Sequence, residues 1–365
     1  MKITGLAITV VEVPLRPPVA PYSSHIRTSS ATRSAIVRVD TDAGLVGWGE
    51  YNVNFREVSA RRTAAQVTEW LVGRDAGNIA RLHEEWPFAL EPPFPLSVKS
   101  GVEIALWDIK AQAAGVPLAV LLGGTVREEV ELAACMGIVP YERAGEIATE
   151  YVERGFTTLK TKAGKSPETD LELVRGVRDA VGDQLKLRID PNRSYAPQVA
   201  ADLARRLEEY GLEYFEQPIP AEPLSDARWL RQQSRTPIAL NESVTDPASV
   251  IAIIKEDAAD VVLPDTVCDG GILPSMIIGW MCHAAGIPCV MHCGHDLGPK
   301  TAAMVHVAAA CPAYSLANDS TYYALENDVT LEPLPIVRGR IRVPAKPGLG
   351  VAGDPEQLAR YAIDC

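Results

Sequence analysis

What the chain does not contain removes several classes of protein. No stretch of 18 consecutive apolar residues occurs in its 365 residues, so no transmembrane helix is expected. Residues 1–15 alternate like a strand and lack the zones of a secretory signal. No low-complexity tract appears, and no sequence-level repeat suggests a solenoid. Basic charge is in deficit. Against 47 Asp and Glu stand 35 Lys and Arg, a net charge of −12 that disfavours nucleic acid and anionic membrane as partners. An acidic small molecule stays compatible, because a bound cation can reverse the local field. The seven cysteines are an odd number in a large chain, which points to a reducing cytoplasm rather than a disulfide framework.

The rest is ordinary for a globular protein, with 47% hydrophobic and 22% charged residues and length for one large barrel plus a smaller domain. Its most informative stretch is Leu185-Lys186-Leu187-Arg188-Ile189-Asp190-Pro191-Asn192. Apolar-polar alternation ends there in a carboxylate, and Pro-Asn breaks the strand. The same grammar ends in Glu216, in Asn241-Glu242, in Asp265, in His292 and in Asp319. Counted through Asn241, the steps are 26, 25, 24, 27 and 27 residues, with Lys162 lying 28 residues before Asp190. A strand, a helix and two loops of a (β/α) barrel need about that many residues.

Upstream, residues 3–14 and 33–40 read as strands, with Gly44 and Gly47-Trp48-Gly49 marking a hairpin-like return. The Pro- and Ser-rich segment over 16–30 reads as a mobile loop in which Tyr22, His25 and Arg27 could contact a polar substrate. Helices are expected over 56–73, 76–86 and 97–114, making residues 1–125 an α+β capping domain. Residues 126–325 form the barrel, with helices at 142–154, 168–181, 196–210, 223–233, 246–256, 271–285 and 297–310. Residues 326–365 are expected to return to the capping domain.

Active sites of such barrels lie at the C-terminal ends of the strands. Asp190, Glu216 and either Asn241 or Glu242 would meet there as hard oxygen ligands that suit Mg²⁺. Lys160 and Lys162 alternate on one strand and so share a face. Their mutual repulsion would bring a lysine toward the pKa of a general base. Asp265 and His292 sit on neighbouring tips, where a carboxylate can orient an imidazole as an acid–base pair. Asp319 could bind the substrate or help to protonate it. From a different class, Cys289, His292, Cys293 and His295 could hold a structural zinc ion.

In this order and spacing, Lys160-Thr161-Lys162, Asp190-Pro191-Asn192, Glu216-Gln217-Pro218, Asn241-Glu242-Ser243, Pro264-Asp265 with Gly270-Gly271, and His292 resemble the enolase superfamily. The resemblance is to its mandelate-racemase and acid-sugar-dehydratase branches and covers nearly the whole chain. It implies a (β/α)7β barrel under an N-terminal α+β cap and Mg²⁺-assisted removal of a proton α to a carboxylate. The use of a Lys or His base with Mg²⁺ against an ene-diolate is a known property of that superfamily. By the same resemblance, Lys160 holds the substrate carboxylate, Lys162 or His292 takes the proton, and His292 protonates a departing β-hydroxyl. Asp319 and Asn192 would contact the substrate along with His25 and Arg27. The tail from His306 to Gly350 is similar to glucarate dehydratases, whose third metal ligand is an Asn, as at Asn241; racemase-like members use a Glu, as at Glu242. Gly294 stands where the glucarate pattern has Asn. Asp265 stands where cycloisomerases and dipeptide epimerases have Lys. The implied activity is dehydration of an acid sugar, with racemisation or epimerisation of a 2-hydroxy acid as the alternative, by a cytoplasmic homo-oligomer.

Overall fold

β-branched runs build the first sheet. Strand β1 (Ile3–Pro14) is followed by a small hairpin, β2 (Tyr22–Ser23) and β3 (Thr28–Ser29), and then by β4 (Ala31–Thr41) and β5 (Val46–Asn52). β1, β4 and β5 pair antiparallel in that order, with Ile3 opposite Thr41 and Pro14 opposite Ala31. The computed structural model describes residues 1–53, 60–88 and 94–364. The segment over 16–30 thus carries a hairpin where only a loop was expected. Its polar side chains close the turn: the Ser23 and Thr28 hydroxyls lie 2.9 Å apart, and Ser24 Oγ accepts from the Ile26 and Arg27 amides.

Helices α1 (Ala60–Leu71), α2 (Ile79–Glu85) and α3 (Phe94–Ala114) accompany this sheet; residues 56–59 of the first expected helix lie outside the described residues. α3 buries Val102, Ile104, Ala105, Leu106 and Ile109. Gly49 lets β5 lie directly on it, since a Cβ there would come within 1.9 Å of Gly101 O. The short helix α4 (Leu118–Leu121) ends this part of the chain.

The barrel strands β6 (Glu129–Met136), β7 (Thr158–Lys162), β8 (Lys186–Asp190), β9 (Tyr214–Glu216), β10 (Ile238–Leu240) and β11 (Val261–Val262) run parallel in sequence order. β12 (Asn318–Asp319) pairs with β6. Between β11 and β12, the stretch expected as a strand at 288–291 makes a bridge from Cys289 to Val262 and hydrogen bonds to both neighbours. Pro288 has no N–H to give, which keeps the pairing irregular, but the ring still closes. The intervening helices are α5 (Tyr141–Glu153), α6 (Pro167–Val181), α7 (Pro197–Leu207), α8 (Leu224–Arg231), α9 (Pro247–Glu256), α10 (Thr266–Asp269), α11 (Ile272–Ala285) and α12 (Gly298–Ala310). They match the expected helices closely, except that α7 ends in a 3₁₀ turn over Glu208–Tyr210 and the short α10 is additional. Local signals set their starts. Ser166 caps the Thr169 amide before α6, and Asp246 with Ser249 forms a reciprocal capping box on α9.

After the barrel, β13 (Ile336–Val337) pairs with β14 (Arg340–Arg342), and β14 pairs with the start of β6. Past α13 (Pro355–Tyr361), Ala362 bridges Val11, and the Ile363 amide donates to Val10 O on β1.

Two buried carboxylates join the N-terminal unit to barrel helices. Glu103 of α3 accepts from the Ile272 and Leu273 amides at 2.7 and 2.9 Å, capping α11. Glu50 of β5 accepts from the Leu297 and Lys300 amides at 2.8 and 3.0 Å, capping α12. Both turn acceptor oxygens toward helix N-termini, whose first amides have no partner within the helix; burial and the neighbouring Asp296 push the Glu50 pKa up to about 8.

On α12, fully buried His306 accepts from the Ala119 amide through Nδ1 at 3.2 Å and donates from Nε2 to Leu349 O at 3.1 Å. Only the neutral ring can make both bonds. Burial accordingly lowers its pKa to about 4. An unfolded histidine titrates near its ordinary value, so as the pH falls the unfolded chain binds the proton first. This contribution is intact above about pH 6.5 and is lost as the pH falls toward 4. Comparing denaturant unfolding of the wild type and His306→Gln should show about 2 kcal/mol more loss in the wild type between pH 7 and pH 5. Equal losses would show that His306 carries no such linkage.

Candidate active site at the strand tips

The barrel registers set the arrangement. Lys162 lies opposite Asp190, Lys160 opposite Arg188, and Arg188 opposite Tyr214. Lys186 at the start of β8 is exposed, but Arg188 and Asp190 are buried in the barrel: Arg188 is fully buried, stacked 4.6 Å from the Tyr214 ring and 2.6 Å from Glu213 Oε2. Below the tips a small apolar cluster of Tyr214, Ala239, Val261, Leu263 and Val290 fills the lumen.

Above it lies a buried ionic array. Lys160 Nζ donates to Asp319 Oδ2 and Glu216 Oε1, each at 2.7 Å, and stands 3.5 Å from Asp190 Oδ2. Lys162 Nζ donates to Asp190 Oδ2 and, at 2.8 Å, to Asn192 Oδ1. Burial alone would depress Lys160, but Asp319, Glu216 and Asp190 hold it well above the usual lysine range. The expected mutual depression of the two lysines is therefore overturned at Lys160, because three carboxylates outweigh one neighbouring ammonium. Asp190 is held well below the carboxylate range against its burial by Lys162 and Lys160, whereas burial and the nearby Asp190 push Glu216 well above it.

The third tip brings Asn241 and Glu242 to the same cavity. Asn241 Nδ2 is committed to Leu263 O at 2.9 Å. Glu242 Oε1 accepts from Asn192 Nδ2 at 3.2 Å and pairs with Arg193, while its buried Oε2 has no hydrogen-bond partner. Glu216 Oε2 likewise receives no hydrogen bond, although Lys160 Nζ is 2.7 Å away. Crowded acidic oxygens lacking donors are the chemistry of a divalent-cation site, and Asp190, Glu216 and Glu242 fit Mg²⁺. A tighter grouping by distance, Glu216 with His292 and Asp319 within 4.8 Å, shares only Glu216 with that set. Lysine ammoniums stand in both sets, Lys160 between Glu216 and Asp319 and Lys162 on Asp190.

His292 Nδ1 is 3.0 Å from Asp265 Oδ2, the pairing expected from the sequence. Lys300 and His292 hold Asp265 well below the usual range despite its burial. Asn192, expected at the substrate, lines the cavity and is also hydrogen-bonded to Asp190, Glu242 and Lys162. Arg27 and Tyr22 line the cavity, which measures about 430 Å³; His25 is not among its lining residues. The proposed zinc cluster does not assemble. His295 bonds Thr321 Oγ1 and packs edge-on to Tyr22, Cys289 is fully buried, and no metal-ligand group among the described residues includes either.

Two supports went unassigned in the sequence. Gln217 accepts from the Asn241 and Ser243 amides and so orients the third tip, and Lys300 contacts Asp265. Gln217 stands inside a recognised motif, which was its only signal. Lys300 lies on a helix remote in sequence from Asp265 and gave none. Asn192, Arg193, Gln217 and His295 adopt positive φ, between 32° and 67°, clustering backbone strain at these tips.

Family profiles agree with this geometry. Residues 7–123 match the mandelate racemase / muconate lactonizing enzyme N-terminal domain, and residues 143–357 match the enolase C-terminal domain-like family. The chain belongs to the enolase superfamily. Among its relatives in that superfamily is an L-Lys-D/L-Arg epimerase of Methylococcus capsulatus, 30% identical over 96% of this chain and 99% of that protein. Another is a D-gluconate dehydratase of Thermoproteus tenax, 28% identical over 95% of this chain and 73% of that protein. A dipeptide epimerase of Enterococcus faecalis, solved with Mg and the dipeptide L-Leu-L-Tyr, superposes with a TM-score of 0.88 at 28% identity, covering 96% of this chain and all (100%) of that one. The superfamily to which this enzyme belongs thus spans epimerases, cycloisomerases and a dehydratase at about this similarity. No helix among the described residues is long and apolar enough to cross a membrane.

Proposed function

We propose that the enzyme removes the proton α to the carboxylate of a polyhydroxylated acid and eliminates its β-hydroxyl, as an acid-sugar dehydratase. The observation that carries the substrate class is the cavity wall. Ser24, Arg27, Ser29, Asn192, Arg193 and Thr321 line it, offering hydrogen bonds along a hydroxylated chain. Several of these groups also hold partners within the chain: Ser29 Oγ donates to Ala31 O, Thr321 Oγ1 lies 3.0 Å from His295 Nδ1, and Arg193 pairs with Glu242.

Asp190, Glu216 and Glu242 would hold Mg²⁺, with Asn241 adjacent to them. When bound, the cation supplies positive charge toward the substrate carboxylate as the proton leaves. The chain's own groups do the rest. Lys160, kept protonated by its carboxylate neighbours, faces the substrate carboxylate. Lys162 and His292 both reach the cavity, from different strands of the rim, so a bound acid can meet one on each side. In this assignment Lys162 takes the α-proton. His292, oriented through Nδ1 by Asp265, delivers a proton from Nε2 to the departing hydroxyl. Asp319, held by Lys160 and Arg188, borders the same space and would contact the substrate. A homo-oligomer in the cytoplasm remains part of the proposal.

The same two bases would serve epimerisation, which the similarity to epimerases keeps in view. The two reactions diverge once the proton has left. Turnover of an acid sugar in D₂O should yield a 2-keto-3-deoxy acid with solvent deuterium at C3, placed there when the enol ketonises. Recovery of only the C2 epimer labelled at C2, without keto acid, would give the function to epimerisation. Lys162→Ala should slow the reaction by at least ~100-fold with the fold intact by circular dichroism; near-normal kinetics would remove Lys162 from the chemistry.

Metal binding can be read separately by titration calorimetry. Glu242→Ala should weaken Mg²⁺ binding by about tenfold or more, and Asn241→Ala by no more than about threefold. The opposite ranking would make Asn241 the ligand.

A further inference from the structure

Lys300 is a buried cation that the proposed reaction does not use. Its Nζ lies 2.9 Å from Asp265 Oδ1, 2.9 Å from Asp296 Oδ1 and 3.0 Å from Asn52 Oδ1. Asp265 Oδ1 also accepts from the Val267 amide at 2.9 Å, and its other oxygen is 3.0 Å from His292 Nδ1. Asn52 ends β5 in the capping unit, and its Nδ2 donates to Gly294 O, two residues beyond His292, at 3.2 Å. A lysine this deeply buried is held only by its partners, so its contacts determine where its charge sits.

We infer that Lys300, tethered to the cap by Asn52, is a positioning residue that occupies one oxygen of Asp265 and so commits the other to His292. A carboxylate can turn about its last bond and offer either oxygen. Here Oδ1 is taken twice, leaving Oδ2 in one direction. The imidazole is then fixed with its proton on Nδ1 and its Nε2 facing the cavity. The cap thereby sets the geometry of a barrel residue through a side-chain chain running Asn52, Lys300, Asp265, His292. This rests on the catalytic reading of the Asp265–His292 pair.

The first test needs no substrate. In protein labelled with ¹⁵N-histidine, at one pH, the Nδ1 proton of His292 held against Asp265 should appear as a downfield resonance. It should be lost in Lys300→Met and weakened in Asn52→Ala. In turnover, Lys300→Met should lower kcat about 100-fold with KM within about threefold. In an Asp265→Asn background it should add no further loss, because both changes remove the same support. Should Lys300→Met fail to fold, Lys300→Met/Asp296→Asn, which removes one charge of each sign, takes its place. A resonance absent from the wild type or unchanged in the lysine variant, or losses that add fully in the double variant, would overturn the inference. If the wild type turns over no hydroxylated acid, the dehydratase reading fails alone, since the resonance is read without substrate.

Discussion

A single ammonium among three buried carboxylates organises the centre of this molecule. Lys160 touches Glu216 and Asp319 and stands near Asp190, groups drawn from strands β7, β8, β9 and β12. Bare carboxylates at such depth would be prohibitively costly, and one buried lysine offsets only part of their charge. Arg188 supplies a second cation from below, against Asp319 and Glu213. Lys162 is a third cation, paired with Asp190, and the carboxylate oxygens left without hydrogen-bond partners are Glu216 Oε2 and Glu242 Oε2. Those two oxygens are what makes the strand tips a candidate cation site.

The cap contributes more than a cover. Glu103 and Glu50 cap two barrel helices from outside the barrel, and Asn52 and Thr32 bind the loop that follows His292. Since α12 and that loop carry Lys300 and His295, the position of the cap sheet is written into the wall of the site. Loops would otherwise be the least rigid part of a barrel. Here they are clamped between two units at the residues that matter for chemistry.

Much of this was legible in the sequence, for identifiable reasons. Strand-tip residues were readable because the barrel repeats a strand and helix at nearly constant length, which turns spacing into angular position. Asp265 and His292 met as expected because neighbouring strands in sequence are neighbours around the ring. Contacts that depend on tertiary closure were not readable. Lys300 reaches Asp265 from a helix, Glu216 shares Lys160 with a residue at 319, and Glu103 caps a helix starting at 272; none of these leaves a local pattern. The pKa of Lys160 was misjudged for the same reason. Its spacing to Lys162 is visible in sequence, while the three acids that decide its charge converge only in the fold.

Global similarity and the residues at the strand tips carry different kinds of information. Epimerases are among the relatives at 30% identity, and that resemblance is spread across cap and barrel alike. Such identity mostly records what the fold needs: apolar positions facing the helices, helix caps and lumen packing. The reaction is decided by far fewer residues. At the tip of β11 this chain presents Asp265, an acid that cannot serve as a proton-accepting amine and is already divided between Lys300 and His292. Lys162 and His292 both border the cavity that Ser24, Arg27 and Thr321 also line, which supports the proposed proton-transferring pair. The site's own residues therefore weigh more than the average of its relatives in assigning the chemistry.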